Sequence, residues 1–559
     1  MDNKTFSPEK KDRKKKIRSI IQGIILIVLL IIILKALFSF TKYEPYNTDN
    51  VSDNTESGFI AVSYFGVDRN GTDTLISTDR LDEHLKALTD NGYVTITQQD
   101  IIDYYKKGKK LPEKALFLIF EDGRTDTAIF SQKVTEKYNL KSTILTYSDR
   151  FEKEDPKFLQ PNDLKKLEES TYWELGTNGY RLEYINVFDK KKNFLGRMTS
   201  LEFSKKSDEI RRDYNHYLMD FIRDEDNVPV ESYDEMKNRI DYDYETSNKI
   251  YKDKLGKNPD LYILMHSNTG QFGTNKKASK INEKWIKDLY AINFNREGYA
   301  FNTLDSSIYD LTRIQPQAYW PTNHLLMRIQ DDTKKDMNFV TGDEKKASEF
   351  KEIKGKAEFI DDTITITSEA KSKGLFKILN TDDFKDMDFS VKLQGNILGS
   401  QRIYLRSNND QSNSILVDLS NNIISIKDKN NSDEKELFRK ELETDKYEFD
   451  IKDPGNRQIH IKLNDNKLSL DIDNMNIVND IEVSDNSKGA VYLESAWNEY
   501  GYSQRNLADD VYDGVFKGID IKDMNGNTLY SNKLNGKEKV IYSMKNCFNR
   551  VVNWFIVNL

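Results

Sequence analysis

Two adjacent carboxylates, Glu121 and Asp122, follow six apolar residues, Ala115 to Phe120, and precede Gly123. A carboxylate pair at such a break can do acid–base work or ligate a cation. A solvated turn with no chemistry is the plainer alternative. His266 has a similar setting, closing the run Leu261-Tyr262-Ile263-Leu264-Met265. An imidazole there suits proton transfer near neutral pH. Cys547 is the only cysteine, which excludes an intramolecular disulfide and a cysteine-rich zinc site. Of the remaining histidines, His84 falls on a predicted helix, His460 in a strand-rich region and His324 in a connection. His216 has no spacing that ties it to the pair.

The elements that must position these groups are legible. A continuous apolar run bounded by turn residues reads as a strand buried on both faces. Acids at the C-terminal end of a buried parallel strand lie where α/β barrels place their chemistry. Phe59 to Val67 reads as a strand running into a loop, and Leu81, Leu85 and Leu88 have helical spacing before Asn91-Gly92. An amphipathic stretch from Ala128 to Tyr138 precedes a second strand, Leu140 to Thr146. Leu164 to Glu169 reads as a helix, and Tyr172 to Gly176 as a strand. From about 200 to 250 the reading is mostly helical, with Glu202 to Tyr214 and Tyr233 to Tyr251 as examples.

These pieces resemble the polysaccharide deacetylase (NodB-like, carbohydrate esterase family 4) domain over roughly residues 59–330. The residues that carry the likeness are Phe120-Glu121-Asp122-Gly123, Lys141-Ser142-Thr143, Trp173-Glu174-Leu175-Gly176 and the strand ending at His266. The resemblance implies a deacetylase in which an Asp and two His hold a metal, a first Asp is the base, and a late His is the acid. Carried over, the base position is Glu121, the metal Asp is Asp122 and the acid is His266. The chain departs from the pattern elsewhere. The two metal-histidine positions fall on Asn178 and Leu182, and a Tyr-His pair becomes Tyr64-Phe65. The family's Arg-x-Pro-x-Gly motif is not recognisable. One carboxylate and one amide are too few donors to hold zinc tightly. No cofactor is therefore expected, unless Glu174 or Glu183 rebuilds a divalent-metal site. Aromatic faces near polar groups suit sugar rings, which makes Tyr64, Phe65, Asn178, Tyr180 and Trp320 candidate glycan contacts. Core packing is the competing reading for each aromatic.

The flanks add a location. Residues 1–19 hold eight Lys/Arg against three acids, a net of +5, which leaves −13 for the rest of a chain whose total is −8. That balance does not point to a nucleic-acid partner. Residues 20–40 are almost wholly apolar, and 21 residues at about 1.5 Å each can cross a hydrocarbon core of about 30 Å. The basic flank should stay cytoplasmic and the bulk outside, as a single-pass plasma-membrane protein. Residues 41–58 read as a polar tether.

From 331 to 536 the texture changes to short alternating runs, such as Phe389 to Leu393 and Ile459 to Leu463, separated by Asn- and Asp-rich turns. This pattern indicates an all-β sandwich and resembles a concanavalin-like jelly roll. Residues 537–559 place Val540, Met544, Phe548, Val551, Phe555 and Leu559 on one helical face. Such a helix can lie on a membrane or pack on its own sandwich. The expected fold is thus α/β plus all-β: an N-terminal membrane helix, a distorted barrel, a jelly roll and a terminal amphipathic helix. The expected function is an extracytoplasmic, catalytically degenerate deacetylase-like protein. It binds or guides an exopolysaccharide beside a membrane-embedded synthase or export complex. An active deacetylase with a rebuilt site and a protein scaffold are the alternatives.

Overall fold

The computed structural model describes residues 8–37, 41–47, 58–211, 214–270, 273–296, 298–431, 433–444, 452–483, 487–499 and 509–558. Helix α1, Pro8–Leu37, contains the basic flank and most of the apolar run, with side chains described only as far as Ile27. Among the described residues no helix is long and apolar enough to cross a membrane. The expected span over 20–40 falls partly outside those residues.

Seven parallel strands build the first domain: β1 (Phe59–Tyr64), β2 (Ala115–Phe120), β3 (Ser142–Thr146), β4 (Trp173–Thr177), β5 (Leu261–Ile263), β6 (Ile292–Asn295) and β7 (Leu311–Thr312). Each pairs with the next in that order. Just past β7, Ile314 closes the ring: its N–H donates to Ala61 O and its carbonyl accepts from Ser63 N, both at 2.8 Å. Every residue of β1 and β2 is buried. Side chains on one face fill the barrel and those on the other meet the helices, so these strands are continuous apolar runs rather than alternating ones.

Two glycines are fixed by close approach. A Cβ at Gly176 in β4 would lie 2.3 Å from Leu145 Cδ2. Gly123 has φ +64°, and a Cβ there would sit 2.8 Å from Leu145 O. Only glycine lets the chain turn there against β3.

After β4 the chain inserts a three-stranded antiparallel sheet, Glu183–Phe188 with Phe194–Thr199 and Asn215–His216. This corrects the helical reading of Glu202 to Tyr214, where only Ser200–Lys206 is helical. Local propensity favours a helix there, but Phe203 and Tyr214 pack their rings on Tyr184, at 4.0 and 5.1 Å, and that contact wins. The helix expected from Tyr233 is present and runs to Leu255.

The tether is only partly a tether. Tyr43 donates to Thr95 O at 3.0 Å, its own N–H donates to Thr171 Oγ1 at 2.9 Å, and Tyr46 donates to Asp100 Oδ1 at 3.2 Å. Residues 41–47 therefore lie along the barrel at the N-terminal ends of its strands. The remainder, 48–57, is outside the described residues.

The second domain is a β-sandwich of one seven-stranded and one eight-stranded sheet, antiparallel throughout. In Met387–Asn396, Met387, Phe389, Val391 and Leu393 point inward, and Ile459, Ile461 and Leu463 meet them from the neighbouring strand. The alternation seen in the sequence is thus one face packed and one face solvated.

Helix α2, Thr322–Thr333, joins the two domains, so the boundary expected at 330 falls inside it. Leu325, Leu326 and Ile329 pack into the barrel's core. From the same helix His324 reaches the sandwich, with Nε2 2.8 Å from Asp509 Oδ2 and Nδ1 2.6 Å from Asp513 Oδ2. Burial disfavours the cation, but the two carboxylates outweigh it and raise the His324 pKa to about 10. The joint is a buried, charged clamp.

Candidate functional site

Glu121, Asp122, Asn178 and His266 all follow the C-terminal ends of parallel strands, so they gather at one mouth of the barrel, opposite residues 41–47. Glu121 is wholly buried. Arg313 Nε lies 2.6 Å from its Oε1, Ser63 Oγ donates to the same oxygen, and Gln315 Nε2 donates to Oε2 at 3.3 Å. Burial opposes its ionisation, but Arg313 and the donated hydrogen bonds prevail and hold the carboxyl below its usual range. Glu121 is thus a carboxylate with both oxygens engaged.

Asp122 is the reverse case. Burial pushes its carboxyl up to about 8, and Arg124, with Nε 3.7 Å away and its backbone N–H donating at 3.1 Å, offsets this only in part. Near neutrality it stands mostly as the acid. His266 adopts a left-handed backbone conformation, φ +57°. Phe65 meets it edge-on at 5.6 Å and Tyr184 at 6.1 Å. Burial, then the Arg296 cation, push its imidazole down to about 3, against the pull of Glu121. His266 is therefore neutral.

Asn178 donates through Nδ2 to Ile263 O at 2.9 Å, tying β4 to β5, while its buried Oδ1 has no partner. Leu182 packs with Tyr184, Val187, Met198 and Ile210 in the inserted sheet and offers no donor atom. Glu183 is held by Arg181 at 3.2 Å and by Arg197. Glu174 accepts from Gln98 N at 2.9 Å, at the start of a helix. Both carboxylates that could rebuild a site are thus committed elsewhere. Among the described residues no group of three or more His, Cys, Asp or Glu side chains could hold a metal ion. One carboxylic acid and one amide oxygen do not fit a tightly bound transition metal.

The candidate glycan contacts divide. Phe65 is half-buried at the mouth beside His266. Tyr180 is half-buried against Tyr242 and Arg181. Tyr64 and Trp320 are corrections. Tyr64 is 0 % exposed, stacked on Phe120 with its hydroxyl 3.2 Å from His84 Nδ1, and Trp320 is 2 % exposed and stacked on His324. Neither presents a face to a sugar, because each fills the core beneath helices.

Three residues of the site were missed in the sequence. Arg313 and Gln315 flank the closing contact at Ile314 and point into the barrel. The usable signal is a polar alternation, Arg313-Ile314-Gln315, after the Leu311-Thr312 strand. His216 sits buried in the inserted sheet, its imidazole pushed down to about 3 by burial and then by His266, and no local pattern marks it.

No family model matches the chain. Among known proteins, the chain is 34 % identical over 74 residues to YxkH of Bacillus subtilis (strain 168), whose name carries the words polysaccharide deacetylase. That match covers 13 % of this chain and 26 % of YxkH. It is 36 % identical over 70 residues to the poly-beta-1,6-N-acetyl-D-glucosamine N-deacetylase of Escherichia coli (strain K12), covering 12 % of this chain and 10 % of that one. The chain thus spans at most about a quarter of these relatives. A de-N-acetylase structure from Aggregatibacter actinomycetemcomitans aligns at 18 % identity with TM-score 0.38, over 49 % of this chain and 100 % of that one. A CBM66 carbohydrate-binding module from Bacillus subtilis aligns at 13 % identity with TM-score 0.25, over 31 % and 96 %. Both structural likenesses are distant.

The strand-end motifs and the curated relatives agree in a likeness to polysaccharide deacetylases, NodB-like domains. The motifs that carry the likeness lie in the N-terminal barrel, and a β-sandwich follows it.

Proposed function

We propose that this is a membrane-anchored, extracytoplasmic deacetylase-like protein that has lost hydrolytic chemistry and binds or guides a polysaccharide. The polymer is an exopolysaccharide or cell-wall glycan, taken up beside a membrane-embedded synthase or export complex. Poly-β-1,6-N-acetylglucosamine is the first candidate, because the Escherichia coli relative is named for it. One observation carries the reading: of the three metal positions, one is a carboxyl pushed towards its acid form, one an amide and one Leu182. Two more support it. Glu121 is capped by Ser63, Arg313 and Gln315, and a neutral His266 has no proton ready for a leaving amine. The groove would still hold an uncharged sugar, with Phe65 as a wall. The anchor rests on the basic, then apolar, order of residues 1–40. The unpartnered Asn178 Oδ1 favours the second reading, an active metal-dependent deacetylase, by offering one further oxygen.

Polymer retention, acetate release and metal content of the purified full chain distinguish these readings. Retention without acetate release or bound metal is expected. Stoichiometric zinc or cobalt, with acetate release abolished by Asp122→Ala, would overturn degeneracy. Failure to retain any polymer would favour a protein scaffold.

A further inference from the structure

The C-terminal helix α3, Gly536–Asn558, leaves its apolar stripe uncovered. Val540, Ile541, Met544 and Phe548 are 58, 67, 67 and 68 % exposed. They lie on one side, three or four residues apart or adjacent, and the sequence continues the stripe at Val551 and Phe555. Single exposed apolar residues are ordinary, but a contiguous stripe marks an interaction surface. The helix does not bury these four residues on its own sandwich.

Charge identifies what covers the stripe. Residues 533–559 carry Lys533, Lys537, Lys539, Lys545 and Arg550 against Glu538 alone, a net of +4. With +5 in residues 1–19 and −8 in total, residues 20–532 carry −17. An anionic surface would repel that body and attract both ends of the chain. Asn546, Asn549, Arg550 and Asn553 fall opposite the stripe, so the helix is too polar to span a bilayer and suited to lie in its interface. A second copy of the helix is disfavoured because two such basic segments repel.

We propose that α3 is an interfacial helix lying on an anionic lipid surface. Ile541, Met544 and Phe548 enter the acyl boundary and the lysines sit at the headgroups. The outward part of the protein would then be fastened to the bilayer at both ends of its chain. This rests on the anchored reading only for bringing the helix near a membrane.

Cys547, the only cysteine and exposed on α3, allows a direct test. The full chain is labelled there with an environment-sensitive dye and reconstituted into vesicles of phosphatidylcholine alone, or with added phosphatidylglycerol. Iodide quenching of the dye should fall about threefold on the anionic vesicles only, and the protection should vanish in Met544→Glu/Phe548→Glu. Equal quenching on both vesicles would overturn the proposal. So would protection that grows with protein density on neutral vesicles, which would put a second copy on the stripe. Flotation of the double variant reads the N-terminal anchor separately. An unmodified chain that floats on the anionic vesicles while its α3 stays quenched sinks this proposal alone, and a double variant that fails to float sinks the anchored reading.

Discussion

Removing Arg313 should be the most damaging single change at the barrel mouth. Its guanidinium and the Glu121 carboxylate are each 0 % exposed and 2.6 Å apart. In Arg313→Met, Glu121 keeps only Ser63 and Gln315 as donors, and an uncompensated charge stays buried. Breaking such a pair costs about 3–5 kcal/mol. At about 2–4 °C per kcal/mol for a domain of this size, the barrel's unfolding midpoint should fall by about 6–20 °C. The double change Glu121→Leu/Arg313→Met removes both charges and should recover most of the loss, because apolar replacement of a buried pair is often near neutral. The wild-type pair has a pH signature. Glu121 is held below its usual range in the fold, so its contribution is present above about pH 4.5 and lost as pH falls through the folded value. In Arg313→Met burial is opposed only by the weaker hydrogen-bond donors, so the penalty should shrink in acid, where Glu121 takes up a proton. Calorimetry and urea unfolding of wild type, Arg313→Met and the double variant at neutral and acid pH would measure this. A midpoint shift under about 2 °C for Arg313→Met, or a double variant no better than the single, would refute the buried-pair argument.

Two other expectations test the fold. His324→Gln should loosen the joint between the domains by about 3 kcal/mol near pH 6. Because the His324 pKa is raised to about 10 in the fold, its contribution is complete below about pH 6.5 and fades as pH rises towards 10, so the gap to wild type should close over that window in thermal unfolding. Gly176→Ala would drive a Cβ to 2.3 Å from Leu145 Cδ2 and should cost about 1–3 kcal/mol by denaturant unfolding, whereas Gly536→Ala, which meets no neighbour, should lack that steric cost.

What the residues alone determined follows from local physics. The runs Ala115–Phe120 and Leu261–Met265 can only be buried, and a buried strand must end in groups that face the barrel mouth. The resemblance to the deacetylase domain adds that Glu121, Asp122 and His266 belong to one site, and the fold sets all three at strand ends on one mouth. The alternation from 387 onward likewise fixed a sandwich, since a period of two is what one packed face requires. The same resemblance implies that the two metal-histidine positions fall on Asn178 and Leu182.

Other features needed the tertiary structure. The inserted sheet over 183–216 forms because Tyr184 finds Phe203 and Tyr214, partners no local window pairs with it. Tyr64 and Trp320 read as sugar platforms because an aromatic ring carries no mark of which way it faces. Arg313 stands 192 residues from Glu121, and only barrel closure at Ile314 brings it there. The protonation pattern of the mouth, with Glu121 charged, Asp122 mostly acidic and His266 neutral, depends on burial and on those distant cations. Chain order encodes neighbours along a strand, whereas charge and exposure are set by everything that folds around it.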